Sequence, residues 1–206
     1  MKLELIIGNS ALIVIDMQKS GGMPVESSGI PTMSGFEERV KKIRKVVNVV
    51  KAHSIPVIYF AEVHRANYVD FGRELDGTEG IHCVEGAEDT QLDHRLIPDE
   101  LDYLIVKRRY SCFFGTDLEI LLRGLKIETL ILTGELTDVC VHYTFVDGHQ
   151  RDYNVRVLTD CVGGSTMERH EASLQAMKYL QRDALCSSTT LINKLSSIDF
   201  RLASKE

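Results

Sequence analysis

Short runs of branched apolar residues alternate along this chain with longer stretches of helical period, and that alternation narrows the possible folds more than any other feature. ALIVID (11–16), IPVIYFAEV (55–63), DYLIVK (102–107), TLILT (129–133) and NVRVLTD (154–160) are of strand length. They are apolar through most of their length rather than at every second position, the mark of strands covered on both faces. Between them, Val40, Ile43, Val47 and Val50 fall on one face of a helix over 36–53. Further helices are expected over 116–125, with Thr116 as N-cap and Gly124 near its end, and over 138–152 and 168–180. A weaker sixth strand at 184–186 and a last helix at 189–197 complete the series. The pattern predicts a three-layer α/β/α domain on a mostly parallel sheet of about six strands. With no break in composition, residues 1–206 read as one domain. The order of the strands is not fixed by this pattern.

Charge and cysteine usage exclude several function classes. A net charge of −6 argues against a nucleic-acid surface, which needs clustered cations. The one basic run, KKIRK (41–45), lies within the predicted 36–53 helix and reads as a solvated face. The first apolar stretch, 11–15, ends at Asp16 and is far shorter than the roughly 20 residues of a membrane span, so no membrane partner and no signal peptide are expected. Five cysteines at irregular spacing, with no CxxC, fit free thiols in a reducing cytoplasm. Neither GxGxxG nor GxxxxGK[ST] occurs, so the usual phosphate loops of nucleotide and flavin sites are missing and no cofactor is expected.

In open parallel sheets, ligands bind beyond the carboxyl ends of the strands. There this sequence puts Asp16 after the first strand, Lys107 at the end of the third and Cys140 shortly after the fourth. Each admits a plain reading: a turn cap, the first of three solvated cations in KRR, a small core residue. An acid, an ammonium and a thiol at three strand ends make the functional reading the better one. With Thr137 as N-cap, Cys140 would occupy the third helical position, where unpaired amides favour a thiolate and can receive an oxyanion. Gln18, Tyr110, Phe113 and Phe114 are candidates for the pocket wall, and Arg108 with Arg109 points to an acidic group on the substrate. The segments 20–34 and 62–100 are long enough to cover the mouth.

Three segments resemble the isochorismatase-like cysteine hydrolases, the superfamily of nicotinamidases, N-carbamoylsarcosine amidases and ureidoacrylate amidases: LIVIDMQ (12–18), IVKRRYSCFFGTDL (105–118) and LILTGELTDVCVHYTFVDG (130–148). The resemblance implies a Rossmann-like fold, Cys140 as nucleophile, Asp16 as general base and Lys107 as third member. It also implies a cis peptide at Glu135–Leu136, with the amides of Leu136 and Cys140 as oxyanion hole. The reaction implied is hydrolysis of a C–N bond in a small amide or ureide through a thioester, by a homo-oligomer in the cytoplasm. Isochorismatases proper cleave a vinyl ether without a cysteine, so Cys140 argues for C–N cleavage. Two departures stand out. Cys112 replaces a common alanine. Nicotinamidases carry a metal on an aspartate and histidines after the second strand, whereas AEVHRANYVDFG offers Glu62 and His64 without the second histidine. His82, Cys83 and His94 show no zinc spacing, so no metal is expected. The rival readings are a nicotinamidase-like metal amidase and a non-catalytic module binding a small ligand.

Overall fold

The computed structural model describes residues 5–203, with side chains as far as residue 197; the two ends of the expected 1–206 domain lie outside the described residues. Strands β1 (Asn9–Ile15), β2 (Val57–Glu62), β3 (Tyr103–Lys107), β4 (Ile127–Glu135), β5 (Asn154–Gly163) and β6 (Leu185–Cys186) form one sheet in the order β3-β2-β1-β4-β5-β6. Every pairing is parallel. The helices are α1 (Val25–Ser28), α2 (Phe36–Ala52), α3 (Leu118–Gly124), α4 (Cys140–Gln150), α5 (Met167–Leu180) and α6 (Ser188–Ala203).

Successive residues of β1 enter opposite layers, as the period of a strand requires. Ala11, Ile13 and Ile15 pack with Leu118 and Leu122 of α3, Val141 and Phe145 of α4 and Met177 of α5. Leu12 and Val14 pack with Val40, Ile43, Val47 and Val50 of α2 and with Leu191 and Leu195 of α6. Both faces of the sheet are therefore covered, which is why the strands read as apolar runs.

The strands are added on one side of β1 as far as β3 and on the other from β4 onward, so the winding of the sheet switches between β1 and β4 and a crevice opens beyond their carboxyl ends. The two strands approach closely there. Gly134, paired with Ile15, has φ +115°, and a Cβ on it would stand 1.9 Å from the Ile15 carbonyl oxygen. Only glycine fits this contact.

Several boundaries differ from expectation. β4 and β5 extend past their apolar cores because the ladders with their neighbours continue into Glu135 and Gly163. The helix after β4 starts at Cys140 rather than at 138. Leu136 to Val139 form a turn in which the amides of Val139 and Val141 both donate to the Leu136 carbonyl at 3.1 Å. Thr137 is not the N-cap; its hydroxyl is bonded to His170 Nδ1 at 2.8 Å. Cys140 is thus the first helical residue, not the third. The segments expected as loops hold local structure: a 3-10 turn at Lys19–Gly22 and α1 in the first, and 3-10 turns at Gly72–Asp76 and His94–Leu96 in the second. They join through backbone bonds from the Ser20 amide to the Asp89 carbonyl at 3.0 Å and from the Gly80 amide to the Gly29 carbonyl at 2.8 Å.

Candidate active site

Asp16 follows β1 directly, with φ +50° and its amide bonded to the Phe60 carbonyl at 3.0 Å. Lys107 closes β3 and is paired in register with Glu62, the last residue of β2. Strand β3 lies two strand spacings from β1, roughly 10 Å, and the long lysine side chain closes much of that gap. Its Nζ lies 2.8 Å from Asp16 Oδ2, 2.8 Å from Glu62 Oε2 and 3.4 Å from Cys140 Sγ. Cys140 Sγ is 3.6 Å from the same Glu62 oxygen. A carboxylate oxygen of Asp16, one of Glu62 and the sulfur all lie within 4.8 Å of one another. The three residues picked from strand ends are together, with a fourth, Glu62, among them.

Glu62 escapes a reading of the sequence because the apolar run of the second strand continues through to 63, which hides the strand's end. The rule that points to Asp16 and Lys107 would otherwise point to it.

Burial and charge set the protonation states. Lys107 is fully enclosed, and burial opposes its charge; Asp16, Cys140 and Glu62 outweigh this and raise the ammonium well above the usual lysine range. Burial raises Asp16 to about 6, with Lys107 pulling it down and Glu62 pushing it up. Burial likewise pushes the Cys140 thiol well above its ordinary value; Lys107 works against this, while Asp16 and Glu62 add to it. The pull of the helix start and of Lys107 toward a thiolate is outweighed at rest: enclosure and two carboxylates prevail over one ammonium. Glu62 itself is held well below the usual carboxylate range, because Lys107, His64 and His82 together overcome its burial.

The turn that leads into Cys140 is anchored from behind. The Ser165 amide donates to Asp138 Oδ1 at 2.8 Å and its hydroxyl to Oδ2, next to the His170 contact with Thr137. The Glu135–Leu136 peptide is cis. Arg39, on α2, grips Glu135 Oε1 through Nε at 2.6 Å and Nη2 at 2.5 Å.

The pocket candidates separate. Tyr110 lines the cavity in front of Cys140, and its hydroxyl donates to Glu79 Oε2 at 3.3 Å. Gln18 also borders it, but its amide is spent on the Glu62 and Thr90 carbonyls at 2.9 and 2.7 Å and on the Glu62 amide at 3.0 Å. It positions the end of β2. Phe113 does not line the cavity; it belongs to the core beside Phe145, under the Arg151 guanidinium. Phe114 is 65% exposed and away from the site. Cys112 is a buried core residue whose amide donates to Thr144 Oγ1.

The expectation of no metal rested on spacing, and the fold brings together what spacing did not show. Glu62, His64, Glu74 and His82 are all buried and offer ligand atoms within 4.8 Å of one another. His82 Nδ1 donates to the Gly80 carbonyl at 2.6 Å, which makes Nε2 the nitrogen that faces the cluster, 3.9 Å from Glu62 Oε1, and the one that would ligate a metal once it gives up its proton. His64 Nε2 lies 3.2 Å from Glu62 Oε1 and 3.1 Å from Glu74 Oε2, and its Nδ1 faces Asp70 at 3.6 Å. Neither Glu74 oxygen makes a hydrogen bond among the described residues, despite that short approach to His64. Two imidazoles and two carboxylates, one of them unsatisfied, fit a divalent cation of the zinc, iron or manganese kind. His94 is exposed on another surface and takes no part.

Comparison with known proteins adds to this geometry. Residues 10–190 match the model of the isochorismatase domain. A probable inactive nicotinamidase from Arabidopsis thaliana is 32% identical, over 84% of this chain and 89% of its own. A ureidoacrylate amidohydrolase from Pseudomonas syringae is 30% identical, over 93% and 82%. Among solved structures, the pyrazinamidase of Pyrococcus horikoshii in complex with zinc superposes with a TM-score of 0.73 at 28% identity, over 86% of this chain and 97% of that one.

Proposed function

Because the chain belongs to the isochorismatase family of hydrolases, we propose that it is a cysteine-dependent hydrolase of C–N bonds in small amides or ureides. The observation that carries the reading is the enclosed ammonium of Lys107, in reach of both Asp16 and the Cys140 sulfur. The thiol is protonated at rest, so a base must take its proton as it reacts. Asp16 accepts that proton while Sγ attacks the substrate carbonyl carbon. The oxyanion is received by the amides of Leu136 and Cys140. Asp16 then returns the proton to the departing nitrogen, and ammonia or an amine leaves a thioester. A water molecule gives a proton to Asp16 and attacks the thioester; the acid departs and the thiol is restored. Lys107 keeps Asp16 charged and steadies the sulfur as it becomes negative.

The test is Cys140→Ala. Ammonia release from carbamoyl compounds should fall by about three orders of magnitude or more, with the circular dichroism spectrum unchanged. Wild-type turnover in that variant would sink the assignment.

A second reading, a nicotinamidase-like metal amidase, is favoured by the cluster of Glu62, His64, Glu74 and His82. These four residues would hold a divalent cation, which would supply Lewis-acid polarisation of a substrate group at the wall bordered by His82. Elemental analysis after dialysis against zinc or manganese should then find about one equivalent per chain, lost in His64→Ala. A protein that retains no divalent cation would remove this reading and leave the cysteine chemistry untouched.

A further inference from the structure

The carboxylates Asp16, Glu62, Glu79 and Glu135 border the cavity in front of Cys140, and no lysine or arginine does so among the described residues. His82 also borders it, with Nδ1 donating to the Gly80 carbonyl and Nε2 3.9 Å from Glu62 Oε1; the nearest lysine and arginines are engaged elsewhere. Lys107 faces Asp16 and Glu62. Arg39 is held by Glu135 Oε1 and by the Ser34 carbonyl at 2.7 Å. Arg108 faces Asp70 at 3.5 Å, and Arg109 donates to the Asp70 and Arg108 carbonyls and faces Glu74 at 3.9 Å. The two arginines that the sequence offered for an acidic substrate group therefore do not reach it.

Glu135 is the informative acid. It is only 4% exposed, and while Oε1 is gripped by Arg39, Oε2 has no hydrogen-bond partner. Gly21 stands over that oxygen and leaves it almost no accessible surface; a Cβ there would come within 3.0 Å. A buried acceptor left without a partner on a residue that borders a cavity calls for a donor. Glu79, across the cavity, already takes the one proton Tyr110 can give. A divalent cation at His64 and His82 would be matched by Glu62 and Glu74, leaving Glu79 and Glu135 as they are.

We propose that this cavity selects carbamoyl compounds whose far end is neutral or cationic and rich in N–H, that it turns away carboxylates, and that Glu135 Oε2 accepts from that far end. The proposal deepens the hydrolase reading and rests on it only for the identity of the cavity as the substrate site. A substrate carboxylate would face four carboxyl groups with no lysine or arginine among the lining residues to pair it, while an amide or ammonium would meet the acceptors it needs.

Three ureas sharing one reactive group test this: N-carbamoylglycine, N-carbamoylglycinamide and (2-aminoethyl)urea, which end in a carboxylate, a carboxamide and an ammonium. Each is assayed at pH 8, where Glu135, raised by burial to about 7, is ionised. One readout is protection of Cys140 from iodoacetamide, followed by peptide mass spectrometry; the other is released ammonia. The neutral and cationic ureas should protect at concentrations roughly tenfold or more below that of the carboxylate. Glu135→Gln should narrow that gap and raise KM for the cationic urea with little change in kcat. Equal or better protection by the carboxylate would overturn the proposal, as would no protection by any of the three. Protection in the expected order without ammonia release would instead count against the hydrolase reading and leave the selectivity standing.

Discussion

At the scale of single residues, the site depends on a mismatch between its groups. Cys140 is raised well above the ordinary thiol range while Asp16 is raised to about 6, so at neutral pH the carboxyl is charged and the sulfur is not. The pH dependence follows from the sign of the second shift. Asp16 is raised from 3.8, and only its ionised form can take a proton. In a pH–rate profile, kcat/KM should climb about tenfold per pH unit below about 6 and level off above it. Asp16→Asn should lose the limb together with the activity; a limb that survives this substitution would belong to another group. Asp16, Lys107 and Cys140 are legible in the sequence because chemistry in such sheets gathers at strand ends. Of the three aromatic pocket candidates, Tyr110 lines the cavity and the other two do not. Phe113 and Phe114 follow Lys107 closely in sequence, but the turn after β3 carries one into the core and leaves the other in solvent.

At the scale of elements, apolar runs reveal each strand but not where it stops. A strand buried on both faces offers no change of polarity at its last residue. Hence Glu62 reads as interior to β2, and the extensions of β4 and β5 leave no trace in the pattern. The start of α4 misleads for a different reason: Thr137 has the chemistry of a cap, but α5 supplies His170 as its partner. The cluster of Glu62, His64, Glu74 and His82 is hard to read because the last three come from a segment with no periodicity, brought to the end of β2 by the bridge between His64 and Val84 and by a single 3-10 turn. Where β4 meets β1, one atom decides. Gly134→Ala should lower the unfolding free energy by about 2 kcal/mol or more, from the positive φ and the contact with Ile15 together. Urea unfolding measures this, and an unchanged midpoint would refute the close approach.

At the scale of the whole molecule, the fold class can be read from the alternation of strand and helix, but the strand order cannot, since a crossover to either side of β1 has the same local sequence. That order has a practical outcome. It makes β3 an edge strand, hydrogen-bonded only to β2, with Leu104 and Val106 about half exposed. Yet its last residue carries the cation that Asp16 and Cys140 share. Edges fray before centres. Warming should therefore silence the enzyme while the helices are still intact, so that residual activity fades several degrees before the far-ultraviolet signal melts; coincident curves would show β3 to be as firmly held as the interior. Reactivity in this molecule would then be hung on its least sheltered margin, the first part of the sheet that heat sets loose.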